Sequence, residues 1–211
     1  RAHTRDVIAE LDETRELRSS LGHIALTGGE PLLFKEEAYR FFEHAHKLYP
    51  ASRTRLYTSG DHIDRATLES LRESGLKEIR FSIRMHDLAK GHRETYDKIA
   101  LACEYIPTVM VEMPVMPDTL DEMKDVLLEL DRLDIFGVNL LELCFPFNNA
   151  DVFRGKGYKV KARPFRVLYD YWYAGGLPIA GSETVCLDLI DFALEAGLKL
   201  GVHYCSLENK H

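Results

Sequence analysis

Short apolar runs rich in β-branched and aromatic residues alternate from end to end with stretches of helical periodicity. No other feature constrains the fold as tightly. The runs fall at about 23–27, 54–58, 78–84, 108–115, 137–145 and 199–204. Helical periodicity occupies about 35–48, 63–74, 94–105, 119–132, 161–173 and 183–196. Strands alternating with helices imply parallel βαβ units. Several helix ends are marked. Thr119 and Glu122 have capping-box spacing, ahead of an apolar stripe of Met123, Val126, Leu127, Leu130 and Leu133. Ser182 is placed to cap the last helix, whose stripe runs Cys186, Leu189, Ile190, Ala193, Leu194, and Gly75 and Gly197 sit where left-handed helix stops belong. No linker divides the chain, so residues 1–211 read as a single domain.

The strand faces decide between an open doubly wound sheet and a barrel. In Ile79-Arg80-Phe81-Ser82-Ile83-Arg84 one face is apolar and the other is Arg80, Ser82 and Arg84. Val109, Val111, Met113 and Val115 alternate with Thr108, Met110, Glu112 and Pro114; later, Glu142 and Cys144 oppose Leu141 and Leu143, and His203 and Cys205 alternate with Val202 and Tyr204. A doubly wound sheet, covered on both faces, reads as near-continuous apolar runs. One polar face per strand suits a barrel with a working interior. The 211 residues fall short of the ~250 typical of eight units, so an incomplete parallel (β/α) barrel is expected.

The net charge of −7 supplies no clustered basic face for nucleic acid. No apolar run approaches the roughly 20 residues of a membrane-spanning helix, and no signal-peptide pattern opens the chain. Four cysteines in so long a chain make no disulfide scaffold, which favours a reducing, cytoplasmic setting. The chain opens at Arg1 inside a charged helical stretch, which reads as part of a longer chain.

The first strand runs into Thr27-Gly28-Gly29-Glu30-Pro31 and then a helix. A Gly-Gly pair at the carboxyl end of a parallel strand lets a ligand approach the backbone closely, and Glu30 adds an anionic acceptor suited to an ammonium. A tight turn with an exposed Glu is the competing reading. Together with Leu56-Tyr57-Thr58-Ser59-Gly60, the strand Glu78–Arg84 and Val109-Met110-Val111-Glu112-Met113-Pro114-Val115-Met116-Pro117, this segment resembles the radical S-adenosylmethionine superfamily, and in particular its pyruvate formate-lyase activating branch. The likeness covers most of residues 20–145. Ser59 stands where the family usually has asparagine.

The resemblance implies a (β/α) barrel of that type lacking its first strand, with S-adenosylmethionine and a [4Fe-4S] cluster as cofactors. It implies that Gly28, Gly29 and Glu30 receive the methionine amine, Ser82 the ribose and Arg84 the methionine carboxylate, with Thr58, Ser59, Glu112 and Pro114 near the nucleoside. An arginine suits a carboxylate, gripping it through two parallel hydrogen bonds. In the family, reductive cleavage of S-adenosylmethionine starts radical chemistry on a substrate, here an unidentified small molecule or protein, with an electron donor such as flavodoxin or ferredoxin. The family's CxxxCxxC motif is absent, since no cysteine precedes Cys103. The cluster ligands are therefore expected outside this chain, before Arg1, with no metal ligand within it. A non-catalytic binding barrel without a cluster is the alternative. A metal-dependent hydrolase or lyase is disfavoured, because no two- or three-residue metal motif appears.

Among single residues, Cys103 and Cys186 read as buried core thiols. Cys144 and Cys205, late in strands on the inferred interior, are with Glu112 the candidate catalytic groups, against a packed-thiol reading. His44 and His46 are about 200° apart around a helix and cannot share a ligand. His86 and His92 read as loop residues near the barrel mouth. Glu112 and Glu142 have Arg80 as a possible structural partner. Asn148–Lys161 reads as a mobile loop, and Tyr169, Tyr171, Trp172 and Tyr173 as helix packing.

Overall fold

The computed structural model describes residues 6–14, 21–83, 88–146, 150–162, 167–168 and 175–208. Two compact units are present, Arg1–Ser82 with Arg93–Met110, and Ile83–His92 with Val111–His211. The elements are α1 (Val7–Glu13), β1 (His23–Leu26), α2 (Lys35–Leu48), β2 (Arg53–Thr58), α3 (Arg65–Glu73), β3 (Glu78–Ser82), α4 (Leu88–Tyr105), β4 (Thr108–Val115), α5 (Leu120–Arg132), β5 (Gly137–Glu142), β6 (Cys144–Pro146), α6 (Ala150–Gly155), β7 (Val167–Leu168), β8 (Gly175–Pro178), α7 (Ser182–Glu195) and β9 (Gly201–Cys205). Six strands form a sheet in the order β1-β2-β3-β4-β5-β9, with β1/β2, β2/β3 and β5/β9 parallel. Among the described residues this sheet does not close into a barrel. Among the described residues no helix is long and apolar enough to cross a membrane.

Each unit has its own apolar core. In the first, Phe41, Phe42 and Ala45 of α2 and Leu68 and Leu71 of α3 are buried, as are Leu56, Ile79 and Phe81 of the strands. In the second, Met123, Val126, Leu127 and Leu130 of the expected stripe are buried and Leu133 is half-buried, and Val138, Leu140, Cys186 and Leu189 are buried as well. Removing each large apolar side chain from water contributes about 1.5–3 kcal/mol, and the period-3.6 and period-2 patterns put these side chains on one face of each element. Gly75 and Gly197 take positive φ of 90° and 64° at the expected helix stops.

Four expectations change. Residues 161–173 form no continuous helix: Val160 bridges Ile179, and Val167–Leu168 pairs antiparallel with Gly175–Gly176 in a three-stranded sheet ordered β6-β8-β7. The β-strand partners lie nearby in sequence, Leu168 opposite Gly175, so local helical periodicity loses to antiparallel pairing. Tyr169, Tyr171, Trp172 and Tyr173 lie outside the described residues. The segment Asn148–Lys161 contains α6. Thr119 stands at the N-cap of α5 but makes no side-chain capping bond, and Ser182 is not the cap of α7. Thr119 Oγ1 donates to the Met116 carbonyl at 3.0 Å. Gly181 caps α7, because Ser182 Oγ is committed elsewhere, donating to the Val115 carbonyl and accepting from Leu143 N, both at 2.8 Å. Finally, Cys103 is exposed, because the buried face of α4 runs through Ile99 and Ala102 to Ile106 just beyond it.

Candidate functional site

Parallel pairing puts the carboxyl ends of β1, β2 and β3 side by side, with Leu26 beside Leu56 and Thr58 beside Phe81. In open α/β sheets ligands bind at this end. Here the first unit gathers Gly28, Gly29, Glu30, Thr58, Ser59 and Ser82. Gly28 has φ +150°, a conformation that favours glycine. A Cβ at Gly28 or Gly29 would meet nothing within 4 Å. The two glycines therefore present open backbone.

Glu30 is the hub of the turn. It caps the 3-10 turn Pro31–Phe34, and its Oε1 accepts from Leu32 N at 3.0 Å and Thr58 Oγ1 at 2.9 Å. Oε2 accepts from Ser59 N at 2.7 Å and Ser59 Oγ at 2.9 Å. Ser59 Oγ also lies 2.8 Å from Asp61 Oδ2, a carboxylate that sequence reasoning did not single out. Its signal was the Ser-Gly-Asp turn itself. Ser82 is exposed at the end of β3. Arg84 and His86 lie outside the described residues, as does the side chain of His92.

Below this turn, Glu78 is buried and ties three arginines of the first unit. Arg80 Nε donates to Oε1 at 2.5 Å, Arg55 Nε lies 2.6 Å from Oε1 and Arg53 Nε 3.9 Å from Oε2. Burial pushes the Glu78 carboxyl up, but hydrogen bonds and charge from Arg80 and Arg55 outweigh it and hold the group below its ordinary value. Arg80 thus has Glu78 as its structural partner. His44 pairs with Asp12 at 2.8 Å while His46 packs beside Gly75, so the two histidines go separate ways.

The second unit carries two polar networks on opposite faces of β5. Aligned parallel partners share a face, so Asn139 goes with His203 and Leu141 with Cys205. Glu112, buried on β4, accepts from Asn139 Nδ2 at 2.8 Å, and Asn139 Oδ1 meets His203 Nδ1 at 2.6 Å. The carboxylate fixes the amide orientation, so Nδ1 donates and Nε2 keeps the bare lone pair in the neutral ring. Asn139 was missed in the sequence, although a lone amide within Val138-Asn139-Leu140-Leu141 was its signal. Replacing Asn139 with leucine removes a donor from buried Glu112. Urea denaturation should show a loss of about 1–3 kcal/mol. Pro114 is half-buried on the same strand as Glu112.

Glu142 is a correction: it lies on the opposite face from His203 and Cys205. Its Oε2 accepts from Tyr204 OH and Leu207 N, both at 2.8 Å, and Oε1 sits 3.5 Å from Lys161 Nζ. Lys161 also ion-pairs with Glu183. Desolvation pulls the Lys161 ammonium down, but the Glu183 hydrogen bond and the surrounding carboxylates outweigh it and hold it above its usual value.

The four cysteines sit on four different elements. Cys103 is exposed, Cys144 and Cys205 are half-buried, and Cys186 is buried. Desolvation first, then the charges of Glu142, Glu183 and Cys205, pushes the Cys186 thiol up to about 12. An iron–sulfur cluster needs several thiolates at one locus. Among the described residues no three His, Cys, Asp or Glu side chains are grouped to hold a metal ion. The cysteines of this chain do not fit a [4Fe-4S] ligand set.

Comparison with known proteins gives a consistent picture. The family model described as the Radical SAM superfamily matches residues 2–130. A protein of Methanocaldococcus jannaschii, provisionally named a glycyl-radical enzyme activating enzyme, is 29% identical over 206 residues; the match takes in 94% of this chain and 50% of that protein. The chain thus spans half the length of that relative. Among solved structures, Streptococcus suis SuiB bound to S-adenosylmethionine superposes with TM-score 0.68 at 11% identity, over 98% of this chain and 44% of SuiB. The protein anSMEcpe, with bound AdoMet and a peptide, gives TM-score 0.63 at 18% identity, over 94% and 55% of the two chains.

Proposed function

The chain belongs to the radical S-adenosylmethionine superfamily, and from that premise we propose that it binds S-adenosylmethionine at the Gly28-Gly29-Glu30 turn, as the ligand-binding core of an activating-type radical enzyme. The supporting observation is the turn itself: open glycine backbone at the carboxyl end of β1, with Glu30 held to the end of β2 by Thr58 Oγ1 and by Ser59 N and Oγ and to its own turn by Leu32 N. Gly28 and Gly29 would admit the methionine end of the ligand, and exposed Ser82 would meet its ribose. When bound, S-adenosylmethionine supplies a sulfonium whose reductive cleavage starts radical chemistry. The chain's own residues bind and orient it. The name of the archaeal relative supports a protein that carries a glycyl radical as the substrate class, with a reducing protein such as flavodoxin or ferredoxin as electron source.

Gly29→Val is the informative variant. A side chain at this position meets open space in the protein, so thermal stability should hold, while the added bulk occupies the ligand's place. Calorimetric titration with S-adenosylmethionine should show binding to the wild type and a weakening of at least about tenfold in the variant, a change worth about 1.4 kcal/mol. Absence of binding by the wild type overturns the proposal. A second reading, a binding module without cluster chemistry, is favoured by the scattered cysteines. Anaerobic reduction in the presence of S-adenosylmethionine separates the two: 5′-deoxyadenosine and methionine support the enzyme, intact ligand the binding module.

A further inference from the structure

We infer that Glu112 is a positioning residue: through Asn139 it fixes the His203 imidazole so that Nε2 stands as a hydrogen-bond acceptor for a ligand with an amide N–H. The three residues lie wholly in the second unit, so the inference goes beyond the S-adenosylmethionine reading and does not depend on it. Val138 and Leu140 are fully buried, and α7 packs against β5 and β9. Asn139 and His203 share the other face of these strands, and His203 is exposed there.

The three side chains have one consistent arrangement of protons. A carboxylate only accepts, so the Asn139 amide turns Nδ2 to Glu112 Oε2 at 2.8 Å and leaves Oδ1 for His203. At 2.6 Å from that oxygen, Nδ1 has to carry the ring proton, because two facing acceptors would repel. The other nitrogen of the neutral ring then holds a lone pair. Glu112 and Asn139 are 7% and 9% exposed, so water competes little for the inner two groups, and the imidazole is the end that meets solvent. The next pair along this face is Leu141 and Cys205, both half-buried. Among the described residues no three His, Cys, Asp or Glu side chains are grouped to hold a metal ion. A neutral acceptor beside weakly polar side chains suits an uncharged donor such as an amide N–H. An ammonium would be desolvated there without a paired carboxylate, which is costly.

Nitrogen-15 NMR on histidine-labelled protein, with the ring neutral, reads which nitrogen of His203 carries the proton; His203→Gln identifies the resonances. The wild type should show the Nδ1–H form. Glu112→Gln and Asn139→Leu should both gain the Nε2–H form, because the first lets the Asn139 amide turn round and the second removes the acceptor. Should Asn139→Leu fail to fold, Glu112→Gln carries the comparison alone. The probe for the acceptor is N-acetylglycinamide, with N,N-dimethylacetamide, which has no N–H, as the control. N-acetylglycinamide should shift the Nε2 resonance saturably in the wild type, and the control should leave it in place. Affinity for the probe should fall about two- to tenfold in Glu112→Gln, the weight of one hydrogen bond between neutral groups. An Nε2–H form in the wild type, or an unchanged tautomer in the folded variants, overturns the role of Glu112. Equal shifts with both amides, or with neither, overturn the acceptor site.

Discussion

Replacing Glu78 with leucine should destabilise the first unit by about 3–5 kcal/mol, the usual cost of removing one partner from a buried ion pair. The Glu78 side chain is 2% exposed, and the side chains it holds, Arg55 and Arg80, are 19% and 12% exposed. Without the carboxylate these guanidinium groups keep their charge, since arginine does not deprotonate in proteins, and they have to stay half-desolvated or break out to water. Breaking out would disturb β2 and β3, which carry Thr58, Ser59 and Ser82. The same carboxylate sets a pH dependence with a definite sign. Its folded-state pKa lies below the ordinary 4.5, so its contribution is fully present above that value and is lost as pH falls through the folded pKa. Urea denaturation from about pH 7 down to about pH 3 should show a steeper acid limb in the wild type than in Glu78→Gln. Equal limbs would mean that the arginines, and not their partner, carry the stability.

Gly176→Ala should dismantle the small sheet of the second unit. A Cβ there would meet the Phe145 carbonyl oxygen at 1.8 Å, and φ at this glycine is +158°. The obstacle is backbone, which cannot rotate aside as a side chain would. Even ordinary overpacking costs about 1–3 kcal/mol, and this contact exceeds it. The pairing of Cys144–Pro146 with Gly176–Pro178 should therefore open. The outcome should be local: faster amide exchange through β6 and β8 with Leu140 and Val138 of β5 still protected. Unchanged exchange in β6 would show that the strands can separate by about an ångström without loss.

The alternating elements, the strand-end glycines of the turn, the apolar stripe of α5 and the Cys186, Leu189 and Ala193 part of the α7 stripe were readable from the chain, because each depends on neighbours three or four residues apart or on a period of two, whereas Leu194, expected on that stripe, is exposed. The same locality explains the failures. Ser182 has the right side chain for a cap, and Thr119 the right spacing, but each hydroxyl found a carbonyl elsewhere. Cys103 missed burial by a single helical position. Val167 and Leu168 joined a strand whose partner, Gly175–Gly176, helical periodicity does not register.

The site divides along the same line. Residue types and spacing marked Gly28, Gly29 and Glu30 as a candidate ligand turn, since a close backbone approach and an acidic group after a strand are local requirements, and the resemblance of several motifs together pointed to the family. What Glu30 touches is not local. Thr58 and Ser59 reach it only because parallel pairing brings the end of β2 beside the end of β1. Likewise Asn139 joins Glu112 to His203 only through the register of β5 with its neighbours, and Glu142 falls on the other face because that register, not its own strand's alternation, assigns the faces. Sequence determined which groups this protein has to offer a ligand; tertiary structure decided which of them already have partners, because a hydrogen bond between strands depends on register and distance that no single strand contains.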